Sequence, residues 1–519
     1  MTLLRVCIVF LLICLGQVGP AQTRMVGPDD LKPFGLPGVW FDARSAPEAV
    51  AGAGAFGPGA KRMAGGTQLS SLIARGKAQG FSGLIYENRD RGHSTLPQEL
   101  FPGLVHLQYD AELIRQKADY GLAARTVIAA PLVGNSSTAL TRGLGARSLM
   151  RLAMTIPLGP ETAYAQYVSD SLYLYPEHRD HDSRDLYPAN WPYMVTSQGS
   201  SGSDQPFLRA LLMTLAAFSA ETRAKLVETH QIAPTLQMIL RRNMAGINSD
   251  ADYRSGLAHP TVFDGTALRP DRMIAHAAAM SPDTVPPRLR LRVESEEFRT
   301  SAGLMERSEL LFTTPSAIAR LWRDYAFRRE MVVSAEGSSD ANGKPLRFHW
   351  ELLRGDPGRI RIEPLDDEGR RAKLSIDWHD EYAVSRPRRD APVLLTSRVD
   401  IGVFADNGTA QSAPGFVSVA FPTHQRRSYE MREGHMRLTS IDYDAASRSA
   451  EFDPRLFWSG AWRDEMDYDD LGRLRGWLRR GVGGEATAFA ADGMLSDGRM
   501  VHYDVENPAL PMVYTWHAD

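Results

Sequence analysis

The sequence predicts an α/β domain in its N-terminal half, followed by an all-β sandwich and a small β-rich C-terminal region. Three observations point there. Between about 67 and 285, short apolar runs alternate with stretches of helical periodicity, as α/β layering requires. Beyond about 327, period-two alternation and glycine turns replace that pattern. At 519 residues, with 43% hydrophobic and 23% charged residues, the chain is long enough for two or three globular domains with cores of their own.

The first residues stand apart. Arg5 precedes the apolar run 6–15, and Gly19, Pro20 and Ala21 supply small residues for cleavage, so residues 1–21 read as a secretory signal peptide. That run is too short to cross a bilayer as a helix, and no later stretch is apolar for long enough, so a secreted or periplasmic protein without a membrane span is expected. Both cysteines, Cys7 and Cys14, fall in the signal, which leaves a mature chain with no disulfide, thiolate metal site or cysteine nucleophile. A formal net charge of −3 provides no field to recruit nucleic acid or an acidic membrane.

Residues 22–66, rich in Gly, Pro and Ala, read as a flexible arm or linker. In the α/β region, 67–285, strands are expected at 83–86, 104–109, 126–133, 172–175 and 193–196, and helices at 68–78, 111–123, 204–218, 220–230, 234–243 and 271–280. Ser203 or Asp204 is placed to cap the helix that begins near Pro206. Residues 286–326 read as a connecting segment with one strand at 288–293 and a helix near Ser316–Trp322. Residues 434–519 read as successive hairpins with glycine turns at 472, 493 and 498.

Four of the strands run into unusually polar loops: ENRDRGHS at 87–94, GNSSTALTR at 134–142, PEHRDHD at 176–182 and SQGSSGSD at 197–204. If the strands are parallel, all four loops leave one edge of the sheet, where open α/β folds bind ligands. In the fourth loop, free backbone N–H groups at a helix start, with Ser200, Ser201, Ser203 and Asp204, suit an anionic or hydroxyl-rich ligand. Arg89, Asn135 and Ser136 from neighbouring loops would help to hold it, and His178 and Asp180 come from the third loop.

Three chemistries fit these residues. Ser201 or Ser203 could act as a nucleophile, activated by His93 or His259 with Asp90 or Asp264 orienting the base, although GSSGS lacks the GxSxG spacing. Carboxylates from Glu87, Asp90 and Asp204 could flank a glycosidic bond. His178 and Asp180 could offer a metal two ligands from one side of an extended chain, with His93 or His259 adding a third; no HExxH spacing is present, and neither a metal nor a cofactor is expected.

Residues 331–353, MVVSAEGSSDANGKPLRFHWELL, and 398–421, RVDIGVFADNGTAQSAPGFVSVAF, carry the one recognisable module. Turn formers at 338–343 are followed by alternating Leu346, Phe348 and Trp350, and alternation recurs at Val399, Ile401 and Val403 and again at Phe416, Val417 and Val419. The stretch 327–421 resembles a polycystic kidney disease (PKD) domain. The resemblance implies an Ig-like sandwich that spaces or binds extracellular surfaces. The phrases YENRDRGHSTL, GNSSTALTRG and SQGSSGSDQPF are similar to uncharacterised secreted bacterial proteins, a resemblance that implies only the domain layout. Two functions are expected from these readings. One is a hydrolase-like enzyme acting on an extracellular glycan or ester; the other is a non-catalytic envelope or polysaccharide-binding protein whose partner is a glycan or small anion.

Overall fold

The computed structural model describes residues 22–38, 40–42, 56–57, 59–140, 147–178, 180–384, 393–445, 453, 456–504 and 512–516. Residues 1–21, read as a signal peptide, and most of the glycine-alanine stretch after residue 42 lie outside the described residues.

Six strands build the central sheet: β1 (Gln22–Val26), β2 (Ile85–Asn88), β3 (Val105–Tyr109), β4 (Leu132–Asn135), β5 (Ser171–Pro176) and β6 (Met194–Ser197). Their order is β1-β3-β2-β4-β5-β6, and every neighbouring pair is parallel. Strands β4, β5 and β6 are buried at every position, which is why they read in the sequence as short unbroken apolar runs. Four of the six were expected within a residue or two of their observed ends, and β4 overlaps the end of a fifth expected strand. The sixth, β1, falls in the segment read as a flexible arm, but it pairs with β3 in register, Gln22 opposite Val105 through Val26 opposite Tyr109. Five residues sufficed for an edge strand, too few for a periodicity to show. The single strand expected at 126–133 is two, Thr126–Ile128 and Leu132–Asn135, in different sheets.

Of the expected helices, Gly66–Ala74, Gln205–Ala217, Ala220–Glu228, Ile232–Arg242 and Pro270–Ala279 are present, while the one expected over 111–123 ends at Arg115. Pro206 occupies the first turn of its helix as expected. Asp204 does not cap it: its backbone is already helical and its side chain makes no cap hydrogen bond.

The β half begins earlier than the sequence suggests. One antiparallel sheet orders Arg292–Glu296, Arg328–Ser334, Arg371–Asp377 and Ile360–Pro364. The other orders Leu310–Thr314, Ala317–Leu321, Gly415–Ala420, Arg398–Asp406 and Arg347–Arg354, with one parallel pair. The segment 286–326 is therefore no connector, since three of its strands belong to these sheets. The helix expected near Ser316–Trp322 is a strand. Ala317 through Leu321 are all buried, and a short run buried on both faces carries no period to separate strand from helix.

The two sheets share a core. Met331, Val333, Leu374 and Ile376 from the first meet Trp350, Val399, Ile401, Val403, Val417 and Val419 from the second. Phe312, Ala317, Ala319 and Phe404, on the opposite face of the five-stranded sheet, belong instead to the core of the α/β domain. Polar ties cross the same junction. Tyr193 and Thr314 share a hydroxyl hydrogen bond at 2.7 Å, Asn190 N–H donates to Ser418 Oγ at 3.0 Å, and Arg398 reaches Asp185.

After residue 425 a five-stranded antiparallel sheet runs in sequence order, Arg426–Arg432, His435–Asp442, Trp462–Tyr468, Leu474–Gly481 and Ala486–Ala490, beside a hairpin of Val501–Asp504 and Val513–Trp516. Gly472, Gly493 and Gly498 turn the chain at positive φ, as their spacing predicts. Among the described residues no helix is long and apolar enough to cross a membrane.

Candidate active site at the carboxyl edge of the parallel sheet

Because every strand of the central sheet points the same way, the loops after β2, β4, β5 and β6 leave one edge together. The chain passes from β2 to β3 on one side, then returns to lay β4 on the other side of β2. The carboxyl ends of β2 and β4 therefore flank the switch point where open α/β sheets leave a crevice. Asn88 lies opposite Asn135 in register there, with Asp90 and Ser137 just beyond.

Asp90 organises the outer part of this edge. Its Oδ1 accepts from Thr138 Oγ1 at 2.9 Å, and its Oδ2 accepts from the Ser137 amide at 3.1 Å and from Ser137 Oγ. His93 Nδ1 lies 3.1 Å from Asp90 Oδ2 and 2.7 Å from Ser137 Oγ. The carboxylate fixes the tautomer, so Nδ1 carries the proton and Nε2 keeps its lone pair. The His93 side chain is 60% exposed, and its Nε2 has no partner among the described residues. His178 donates from Nε2 to the Ser137 carbonyl at 2.9 Å, which pins the loop from behind.

Beneath this lies a second carboxylate. Asp204 is fully buried, with Oδ2 accepting from Asn135 Nδ2 at 2.6 Å and Oδ1 without a hydrogen-bond partner. Burial holds its pKa above the ordinary aspartate range, opposed by the Asn135 hydrogen bond, and the charge of Asp90 pushes the same way as burial. Asn135 in turn accepts from Tyr86 O–H at 2.8 Å and donates to the Ser94 carbonyl, which also receives Gln205 Nε2. The loop bearing His93 is thus stitched to the residues that hold Asp204. Burial pushes the Tyr86 phenol up to about 12, so it remains a donor throughout the physiological range.

Several expected members of the site stand elsewhere. Arg89 is buried beneath the edge, with Nε on Glu87 at 3.0 Å, Nη1 on the Ala124 carbonyl, and Nη2 on the Thr126 carbonyl and Tyr173 O–H. Glu87 is consumed with it, accepting also from Tyr109 and Tyr173. Residues 87 and 89 share a side of the extended chain, and that side faces inward, so Arg89 is no ligand donor for the serine loop. Ser136 Oγ points inward too, donating to the Arg89 carbonyl. Asp180 is held by Arg151 through two contacts of 3.0 Å and by the Ser148 amide, a buried structural pair rather than a ligand. His259 is sealed between Tyr253, Phe404 and Phe416 at the junction with the sandwich, and burial lowers its pKa well below the usual histidine value; it is not the base for Ser201. Asp264 caps a short helical turn at Thr266.

Ser200 and Ser201 are exposed on a turn between Gly199 and Gly202, both at positive φ. The Ser203 amide donates to the Ser200 carbonyl, Ser203 Oγ pairs with Ser197 Oγ at 2.8 Å, and the Gln205 amide donates to the Gly202 carbonyl. The turn therefore satisfies much of its own polarity, and the acidic group nearest the helix start is Asp204 itself. Ser137 and Thr138, which complete the Asp90 cluster, were missed. Their signal lay in the run of three hydroxyl residues directly after β4. Among the described residues no three histidine or acidic side chains converge as a metal site.

The fold and site define a parallel α/β domain with a histidine–carboxylate cluster at its switch point, joined to a β-sandwich half. No protein-family model and no curated protein matches the chain. Among solved structures it is similar to a nucleoside hydrolase-related hypothetical protein from Saccharophagus degradans that is associated with carbohydrate metabolism. Identity is 11%, over 56% of this chain and 71% of that one, with a TM-score of 0.18. A likeness of that size bears on neither fold nor function.

Proposed function

We propose that this protein is a hydrolase-like enzyme that cleaves a glycosidic or ester bond with activated water. The observation that carries the reading is the pairing, at one switch point, of an exposed histidine oriented by Asp90 with a buried carboxylate held toward its protonated form. An oriented base beside a carboxyl kept toward its protonated form is what acid–base hydrolysis needs. His93 Nε2 takes the proton of the attacking water, and Asp204 supplies a proton to the leaving oxygen once the Gly199–Gly202 turn moves aside. Serine nucleophile chemistry is disfavoured, because Ser137 meets His93 at Nδ1, the nitrogen already held by Asp90, and Ser201 meets neither. In this reading residues 1–21 are a signal peptide, the chain is secreted or periplasmic, and 327–421 is a PKD-like module that keeps the edge near an extended extracellular glycan.

A second reading, a non-catalytic envelope or polysaccharide-binding protein, is favoured by one observation. Both Asp90 oxygens already accept from Thr138, Ser137 and His93, so the cluster can also serve simply to rigidify a binding surface. A panel of aryl glycosides and aryl esters, run beside a glycan array, separates the two. Turnover that His93→Gln lowers by about 10²–10⁴-fold, with Ser201→Ala unaffected, supports the enzyme. Glycan binding without any turnover rejects it.

A further inference from the structure

A narrow cleft lies between the sandwich and the C-terminal sheet, and none of the residues lining it belongs to the α/β domain. Its walls include Tyr325, Tyr443, Phe457 and Trp458, and its charged members are Arg323 and Arg427. We propose that this cleft binds one oxyanion group, the carboxylate or sulfate of a small molecule whose body stays outside it, gripped by the guanidinium of Arg323.

The argument is one of missing counterions. Arg323 lies 4.2 Å over the Trp458 ring and donates from Nε to the Ser308 carbonyl at 2.8 Å, while its two terminal nitrogens have no partner among the described residues. The nearby carboxylates are already spent. Glu309 accepts the amides of Arg323 and Asp324 on one oxygen, and the Arg299 amide and Arg329 Nη2 on the other. Asp324 faces Arg329 at 3.1 Å and accepts the Ala326 amide. Among the described residues Arg427 likewise meets no carboxylate, donating to the Asp324 carbonyl and to Gln425 Oε1, with its guanidinium 4.1 Å over Trp378. Trp322 also lines the cleft, and its indole Nε1 is buried without a partner.

By contrast, the buried Arg89, Arg320, Arg398 and Arg479 each meet a carboxylate. Arg223 and Arg241 lack one but are sealed in the core, whereas Arg323 and Arg427 open on a shared space. Burial, joined by the charge of Arg307 and opposed by Glu309, pushes Arg323 down to about 10, the direction expected of a cation that lacks its anion. A guanidinium fork with both ends free meets a carboxylate or sulfate in two places.

The test is calorimetric titration of the full chain at low ionic strength with galacturonate, galactose 6-sulfate and galactose. At least one anion is expected to bind saturably at one site, with galactose silent and 0.5 M NaCl weakening the affinity. Arg323→Gln should weaken it at least tenfold. Arg427→Lys, which keeps the charge and loses the fork, should weaken it severalfold and serves alone if the first variant does not fold. No saturable binding by either anion overturns the proposal. So does affinity left unchanged in every variant that folds.

Discussion

Arg398→Met is the sharpest test of how the two halves of the molecule are joined. Arg398 is buried on the sandwich strand and donates to Asp400 at 2.8 and 3.0 Å, to Asp185 of the α/β half at 3.2 and 3.1 Å, to Thr261 Oγ1 at 2.7 Å and to the Tyr187 carbonyl. Methionine fills much of the space but leaves two buried carboxylates with Arg354 as their remaining cation. Breaking a buried pair in this way costs about 3–5 kcal/mol, a large share of a typical domain's stability. The pH dependence has a definite sign. Despite the cost of burial, Arg398 and Arg354 hold the Asp185 carboxyl well below the usual aspartate range. The stability it contributes is therefore present above the ordinary aspartate pKa of about 4 and is lost as pH falls through the folded value. With Arg398 gone the folded value rises toward the unfolded one, so less stability is lost on acidification, and the deficit against the natural protein should be largest near neutral pH and shrink as pH falls below about 4. Urea unfolding between about pH 2 and 7, followed by far-UV circular dichroism and by tryptophan fluorescence, reads both effects. A loss below about 1 kcal/mol at pH 7, or an unchanged acid profile, would refute this account of the junction.

Further expectations can be checked one at a time. Asp204→Asn should stabilise the protein at neutral pH: a carboxyl whose folded pKa is raised makes the fold less stable as pH climbs from the unfolded to the folded value, at about 1.4 kcal/mol per unit of difference, so the gain over the natural chain must vanish below pH 3. Gly134→Ala puts a methyl 2.6 Å from the Tyr173 ring, and the overpacking should cost about 1–3 kcal/mol and loosen the Glu87–Arg89 layer, readable by thermal melting. Tyr173→Phe removes a donor from buried Glu87 and should cost about 1–3 kcal/mol, which denaturant titration will show. Arg479→Lys loses the two-point contact with Asp464 and its fit among Trp462, Phe489, Tyr503 and Tyr514, so limited proteolysis should cut the C-terminal sheet first.

The parallel strands could be read from the sequence because each is buried on both faces and stands out as a short apolar run between polar loops; Ser171–Pro176 lies within a residue of the expected span at either end. The helices Leu149–Thr155 and Gly159–Tyr167 could not. The first buries five of its seven residues, so it has no contrasting polar face, and Pro157 and the left-handed Leu158 interrupt the period between the two. In the site, Asp90 and His93 were legible as neighbours in one loop. Their partner Ser137 is 44 residues from His93, and only the parallel pairing of β2 with β4 brings it there. Arg89 misled because it stands in a polar stretch, yet its alternation with Glu87 already placed both on one face of the chain, and only packing tells which face is inside. His259 misled for a related reason: its surroundings come from Phe404 and Phe416, more than a hundred residues away.

The five-stranded sheet has a consequence for how this molecule can be inherited and handled. Phe404 and Phe416 turn toward the α/β half while Val403, Val417 and Val419 turn the other way, so one sheet is the wall of two rooms. A chain ended at residue 285 would leave Trp191, Tyr193 and Tyr253 facing water, and a chain begun at residue 286 would expose Phe312 and Phe404. Neither fragment is a free-standing part that recombination could lend to another protein. A partner gene acquiring the carboxyl edge of the parallel sheet would have to take the sandwich along with it.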